Sequence, residues 1–427
     1  MLHARSRPAN DIPRVGRPSS LEPRDPLASR WLLGPALVAG VAYLDPGNVA
    51  SNMTAGAAFG YLLVWVVVLG NVMAWLVQYL SAKLGIVTGE SLPEILGKRI
   101  TSQWGRRAFW AQAELVAMAT DIAEILGGAI ALNLLFDLPL VVGGIITGTV
   151  SLAVLQLQGK NRPMTFERTI ISMMVIVAIG FSAGVFINPP QAANVTDGLI
   201  PSFEGAQSVL LAASILGATV MPHAVYAHSA LARDRFHVRP IAMVPRLLRA
   251  TRWDVSIALS IAGAVNLAIL LLAATSLQGR NDTGTLQGAH SALTDVLGPV
   301  IATLFAVGLL ASGLASSSVG AYAGAEIMHG LLRLRIPLSA RRIITLIPAI
   351  LILAFGVDPT QALIASQVVL SFGISFALLP LVYLGTRPEV MGKYRNKWWT
   401  TLLGMIVAGL LVALSLTLLF LVFTGTG

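Results

Sequence analysis

"AYLDPGNVASN", residues 42–52, sets an aspartate, a proline, a glycine and an asparagine inside an otherwise apolar segment. A helix running through it would carry two of its poorest formers and a charge near its middle. The surroundings decide how this is read. Of the 427 residues, 55% are hydrophobic and only 11% charged, and the mean hydropathy is +0.76. Soluble domains carry about 25% charged residues. Apolar runs near the length needed to cross about 30 Å of hydrocarbon recur along the chain. The expected fold class is therefore an all-α polytopic membrane protein.

Eleven spans are predicted, at roughly 31–55, 61–82, 108–135, 138–157, 169–187, 206–231, 254–277, 291–331, 343–356, 360–385 and 400–424. The eighth is too long for one straight crossing, so part of it is expected to project from the bilayer. Residues 1–30 are polar, basic and proline-rich, unlike a cleavable signal peptide. They read as a disordered cytoplasmic tail that signals topology.

The net charge of +9 would suit nucleic acid, but its distribution points to the bilayer. All but one of the 29 Lys and Arg residues lie in the N-terminal tail or in the connections after spans 2, 4, 6, 8 and 10; the opposite face holds only Arg280. That is the positive-inside pattern. It places the N-terminus in the cytoplasm and, with an odd number of spans, the C-terminus outside the cell membrane. The chain has no cysteine, which excludes disulfides, thiolate metal sites and cysteine nucleophiles. Any soft metal ligand must be methionine or histidine.

Within span 1, Pro46 has no N–H to give the carbonyl of Ala42, and Gly47 lets the backbone unwind. In lipid, irregular backbone survives only where it is buried in protein or lines a cavity. Asp45 adds an ionisable group that costs ~2.5–3.5 kcal/mol on insertion scales, and Asn48 adds an amide oxygen. A carboxylate, an amide oxygen and a free carbonyl are cation ligands; a structural hydrogen bond to unwound backbone is the plainer role for Asp45. A second break lies in span 6, "LGATVMPHAVYAHSAL", residues 216–231, where Pro222 frees the carbonyl of Ala218. Met221 precedes that proline as Asp45 precedes Pro46. Spans 1 and 6 are five apart, so a five-span repeat must be inverted. Matching broken helices in inverted repeats point to a transport site near the bilayer midplane. The expected organisation is a tail over 1–30 and a transmembrane domain over 31–427, with repeats at 31–187 (spans 1–5) and 206–385 (spans 6–10), and 400–424 as an added span.

"DPGN" in span 1 and "MPH" in span 6 resemble the two signature motifs of the Nramp (natural resistance-associated macrophage protein) family, over roughly residues 31–385. The resemblance implies a leucine-transporter-like fold and proton-coupled import of divalent metal, most like the bacterial manganese transporters. It implies that Asp45, Asn48, Met221 and the carbonyls of Ala42 and Ala218 bind the ion, and that Gln367 of "SQVVLSFG" joins on occlusion. It makes His223 a proton or gating residue near the metal. The chemistry is compatible: Mn²⁺ and Fe²⁺ accept oxygens and tolerate a soft ligand, whereas Ca²⁺ and Mg²⁺ want oxygens alone. Simple packing is the alternative role for Met221. No cofactor is expected; the ions are Mn²⁺ or Fe²⁺, with Co²⁺, Zn²⁺ and Cd²⁺ as further candidates, and H⁺.

In span 3, "AELVAMATDIAEILGGAI", residues 113–130, puts Glu114, Asp121 and Glu124 on one helix face. The resemblance assigns Asp121 and Glu124 to proton exit, with Arg341 and Arg342 of span 9 as basic partners; a static ion-pair brace is the alternative. Glu114 is the weakest member of the stripe. His228 lies five residues past His223, about 140° round the helix, and reads as a packing or hydrogen-bonding residue ahead of a transport one. Gly144 and Gly148, and the small residues of "ASGLASSSVG" (311–320), read as close helix packing. No Walker motif, HExxH or nucleophile–base pair is present, so ATP-driven transport and an enzyme are not expected, nor are a nucleic-acid or obligate protein partner. A metal channel and an amino-acid carrier of the same fold remain the alternatives, although Asp45 would repel a substrate carboxylate.

Overall fold

A computed structural model describes residues 34–159, 163–236, 241–280, 283–334 and 337–424; the basic tail expected over 1–30 lies outside them. Among the described residues all regular structure is helical. Span 1 is built from Pro35–Gly40, a 3-10 turn over Val41–Leu44, and Pro46–Phe59. Spans 2 to 5 are Val64–Thr88, Gln103–Phe136, Leu140–Gly159 and Pro163–Ile187. Span 6 is Gly205–Thr219 followed by Pro222–Arg235. Spans 7 to 11 are Val244–Ser276, Pro299–Leu332, Leu338–Ala354, Pro359–Thr386 and Trp398–Thr424. Eight of these segments, with the two halves of span 6 taken together, are long and apolar enough to cross a membrane. Spans 1, 4 and 9 are shorter or interrupted.

The outer surface is apolar. Val142, Ile145 and Ile146 of span 4, Ile343, Ile344 and Ile347 of span 9, and Leu402, Leu403 and Ile406 of span 11 are all exposed. Patches of this extent do not face water in a soluble monomer; they face lipid. Polar side chains are gathered inside instead: Asp45, Asn48, Asn52, Gln78, Glu124, Gln367 and Arg342 are all buried.

Helix ends differ from the sequence expectation where helix and hydrocarbon part company. Span 3 starts at Gln103 instead of 108, capped by Ser102, whose Oγ accepts the Gly105 N–H at 3.2 Å. Span 7 starts at Val244 instead of 254, with a proline in its first turn. Hydropathy marks the hydrocarbon crossing, and these helices run past it into polar sequence. The long eighth stretch divides into Leu286–Leu297 and Pro299–Leu332. Gly298, at φ 87°, turns the chain between them in a conformation that favours glycine, and Pro299 opens the second helix.

Close approach of backbones positions the centre. A Cβ on Gly127 of span 3 would overlap the Pro46 ring, and one on Gly47 would overlap the Gln367 amide. Spans 3 and 10 thus press on the span 1 break from two sides. Gly144 and Gly148 let span 4 seat Ile350, Leu353 and Leu346 of span 9, in the close-packing role expected of them.

Candidate metal centre

Asp45 is the N-cap of Pro46–Phe59, with extended backbone (φ −68°, ψ 160°). Its Oδ1 accepts the Asn48 N–H at 2.9 Å, as an N-cap aspartate does. Its Oδ2 accepts Gln367 Nε2 at 3.2 Å. The helix N-terminus and two donors stabilise a carboxylate that has no contact with solvent.

The carbonyls upstream of the break are held by side chains. Tyr43 O accepts Asn48 Nδ2 at 2.7 Å and Asn266 Nδ2, from span 7, at 2.9 Å. Leu44 O accepts the Ser312 hydroxyl of span 8. Ala42, whose carbonyl the proline displaces, is fully buried. The structure therefore corrects the reading of 311–320 as packing alone. Ser312 satisfies unwound backbone, and Ser317 bonds both Ser151, at 2.5 Å, and Arg342.

In span 6 the break is Val220–Met221, with Met221 extended (φ −79°, ψ 129°) at the N-cap of Pro222–Arg235. A thioether is a poor acceptor, and no side chain caps this helix. The Met221 sulfur caps nothing, unlike Asp45 Oδ1, and the residue is fully buried. The two breaks meet through Asn48 Nδ2, which lies 3.4 Å from Ala218 O. Span 10 touches both: Gln367 reaches Asp45, and its carbonyl and Ser371 lie where a Cβ on Gly217 would sit.

The acid stripe forms one network with span 9. Arg342 Nη1 lies 2.5 Å from Asp121 Oδ1 and 3.7 Å from Glu124 Oε2. Arg341 lies 3.0 Å from Glu114 Oε1 and 3.6 Å from Asp121 Oδ2. Glu114, the weakest member on sequence grounds, is engaged through Oε1. Both Glu124 oxygens are buried without a hydrogen-bond partner among the described residues. His223, directly after the Pro222 of the break, has its Nδ1 3.2 Å from the hydroxyl of Thr120, which precedes Asp121 in span 3. His228 Nδ1 meets Gln78 Oε1 at 2.5 Å, and Gln78 Nε2 donates to the Tyr43 hydroxyl.

Sequence reasoning missed Tyr43, Asn52, Gln78, Thr120 and Asn266, and gave Ser312 a packing role alone. Each is a polar residue within an apolar span, and a survey of such residues would have found them. Among the described residues no three His, Asp or Glu side chains form a metal cluster. The groups at the two breaks are instead one carboxylate, two amides, backbone carbonyls and a thioether.

Two unwound helices facing each other inside a bundle of this topology define a secondary transporter of the leucine-transporter fold. Solved structures of that fold match over most of the chain. One is MhsT in complex with L-phenylalanine, at 14% identity and TM-score 0.60, covering 90% of this chain and 98% of that one. At that identity the likeness concerns the fold alone. Residues 36–421 match the family described as natural resistance-associated macrophage protein-like, and the chain belongs to that family. It is 59% identical over 404 residues to the divalent metal cation transporter MntH of Mycobacterium tuberculosis, covering 94% of each chain. It is 46% identical over 390 residues to the protein of the same name from Bacillus subtilis, covering 91% of each. A crystal structure of the Eremococcus coleocola manganese transporter superposes with TM-score 0.81 at 31% identity, covering 91% of this chain and 85% of that one.

Proposed function

We propose that this protein imports divalent transition-metal ions, Mn²⁺ foremost and Fe²⁺ next, by alternating access coupled to protons. The observation that carries the reading is the meeting of the two breaks, with Asn48 reaching Ala218 O and Gln367 on Asp45. Asp45 supplies the charge that draws a cation out of water. Asn48 and the carbonyls of Ala42 and Ala218 replace hydration oxygens. Met221 adds the soft ligand that Ca²⁺ and Mg²⁺ reject. The named relatives, a divalent metal cation transporter and a manganese transporter, support the choice of ion.

Complete burial of Asp45, Asn48, Met221 and Gln367 supports a carrier over a channel, since a cation at this site has to wait for one side to open. Two inverted five-span repeats, over 31–187 and 206–385, supply the halves that rock. The charge asymmetry supports a cytoplasmic N-terminus and an extracytoplasmic C-terminus in the cell membrane. Protons leave Asp45 through His223 and Thr120 to Asp121 and Glu124. There Arg342 holds Asp121 closely, while Glu124 has oxygens open to a proton. The test is Mn²⁺ uptake into proteoliposomes with Ca²⁺ and Mg²⁺ as competitors and an imposed pH gradient. Saturable uptake that the gradient drives against a Mn²⁺ gradient supports the reading. Flux that only runs downhill makes the protein a channel.

A further inference from the structure

Spans 3, 10 and 11 leave a groove of about 440 Å³ between them, lined by Phe109, Phe372, Phe376, Leu379, Val412 and Leu416. Its wall is almost wholly apolar, and Phe376, Leu379 and Leu416 are exposed along its mouth. Phe109 and Phe376 meet edge to face within it, with ring centroids 6.4 Å apart. The groove opens on the surface that faces lipid, where an unfilled slot forfeits dispersion contacts along its lining. Hydrocarbon fills it best. Its depth also suits a lipid tail: Phe372 lies about 16 Å of helix rise from Tyr383, near the end of span 10, and one leaflet of hydrocarbon is about 15 Å thick.

The rim of the groove selects the head. Trp104 and Trp398, at the starts of spans 3 and 11, are exposed and mark the headgroup level, as interfacial tryptophans do. Arg106 lies one turn before Phe109 on the same face of span 3. Tyr383 lies one turn past Leu379 on span 10. The Arg387 guanidinium sits over the Tyr383 ring, 4.3 Å from its centroid, and donates to its hydroxyl. Among the described residues, neither Arg106 nor Arg387 has a carboxylate within ion-pair distance. Guanidinium groups match phosphate oxygens in a bidentate fork. A second apolar groove, of about 530 Å³ beside Met174, Ile179, Phe186 and Ile261, lies toward the opposite face. The connection that follows span 5 there, residues 188–204, contains no Lys or Arg. Only the first groove joins an apolar slot to free cations.

We propose that the groove between spans 3, 10 and 11 is a binding site for an anionic phospholipid, with an acyl chain in the slot and the phosphate on Arg106 and Arg387. A zwitterionic lipid offers the same chain and a phosphate, but its own cation opposes a pair of guanidinium groups. The site is separate from the helix breaks and does not depend on which ion the protein carries.

The experiment is native mass spectrometry of the full chain in detergent, titrated with phosphatidylglycerol or with phosphatidylcholine of the same acyl chains. The wild type is expected to hold phosphatidylglycerol roughly tenfold or more tightly than phosphatidylcholine. Arg106→Gln and Arg387→Gln should each weaken phosphatidylglycerol binding about fivefold and leave phosphatidylcholine binding unchanged. Ser375→Phe, which sets a ring into the groove from its wall, should weaken both lipids alike. Arg249→Gln, at an exposed arginine outside the groove, should change neither. Equal wild-type affinity for the two lipids, or an equal loss in Arg249→Gln and Arg106→Gln, would show a general attraction of the basic face and overturn the proposal. Full-strength phosphatidylglycerol binding in both arginine variants, or in Ser375→Phe, would place the lipid elsewhere and overturn it too. Thermal melting checks folding. Should Ser375→Phe fail to fold, Leu416→Trp, at the exposed mouth, obstructs the groove with the same outcomes.

Discussion

The two helix breaks are built on one plan and held in opposite ways. The span 1 break is pinned at its middle. Asp45 caps its own helix, Asn266 and Ser312 take the carbonyls of Tyr43 and Leu44, and Gln367 lies on the carboxylate. Even the first half of the span is anchored, because Asp254 accepts the N–H groups of Gly34 and Ala36 at 3.1 and 2.9 Å. The span 6 break has no side-chain cap, and the side-chain contact to its Ala218 carbonyl is long, at 3.4 Å. Its second half is held at the far end, where Arg233 pairs with Glu94 at 2.7 Å and Glu326 at 3.1 Å. On the proposed reading the first break holds the hard oxygens and the second brings the soft ligand, and the second has fewer side-chain ties at its turn. A carrier needs both, since a site rigid on all sides would bind the ion and keep it.

The largest effect expected of any single change is at the rigid break. Asp45→Ala should weaken Mn²⁺ binding by about a hundredfold or more, through loss of the one carboxylate ligand, and abolish uptake while the protein still folds. Normal uptake by a folded variant would remove the span 1 break from the site. Next comes the proposed proton route, in which His223 of span 6 leads to the acids of span 3. Asp121→Asn should cut acidification inside liposomes during Mn²⁺ uptake several-fold or more, with Mn²⁺ affinity in calorimetry nearly unchanged. Glu124→Gln should act in the same direction. If both acidify as the wild type does, the acids are a static brace.

The difference in pinning is tested on stability. Ser312→Ala leaves the Leu44 carbonyl without its side-chain donor and should cost about 1–3 kcal/mol, read as a lower thermal midpoint. Thr219→Val is the partner experiment at span 6. The Thr219 hydroxyl bonds the carbonyl one turn back, on Ile215, at 2.6 Å, so its loss should cost under about 0.5 kcal/mol. Equal costs would erase the contrast between the breaks. The smallest effect concerns the far anchor of span 6, outside the bilayer. Burial pushes the Glu94 carboxyl up, but the Ser91 N–H and Arg233 outweigh it and hold it below the ordinary glutamate range. A depressed pKa in the folded protein gives stability that is present above the unfolded value and lost as pH falls through the folded one. The wild type should therefore lose a little thermal stability as pH drops below about 4, and Glu94→Gln should lack that component of the decline.

The breaks were legible because proline, glycine and aspartate contradict the apolar runs that hold them, and a contradiction inside one segment needs no tertiary knowledge. Positive charge in alternate loops made the span count legible for the same reason. The partners that hold the breaks were not. Tyr43 and Asn266 are 223 residues apart, and Leu44 and Ser312 are 268 apart. Nothing local to Asn266 or Ser312 says which carbonyl it satisfies. Gln367 was reached by resemblance, and its contact with Asp45 exists only because Gly47 has no side chain in the way. The division of span 8 at Gly298–Pro299 was written in the sequence but masked by the apolar run around it.

X-ray absorption at the manganese edge on the Mn²⁺-loaded protein reads the joint site most directly. A shell of oxygen and nitrogen neighbours with one sulfur, and loss of that sulfur in Met221→Ala together with new binding of Ca²⁺, is the expected result. A wild-type shell without sulfur, or a Met221→Ala protein that still excludes Ca²⁺, would contradict a single site shared between a hard break and a soft one.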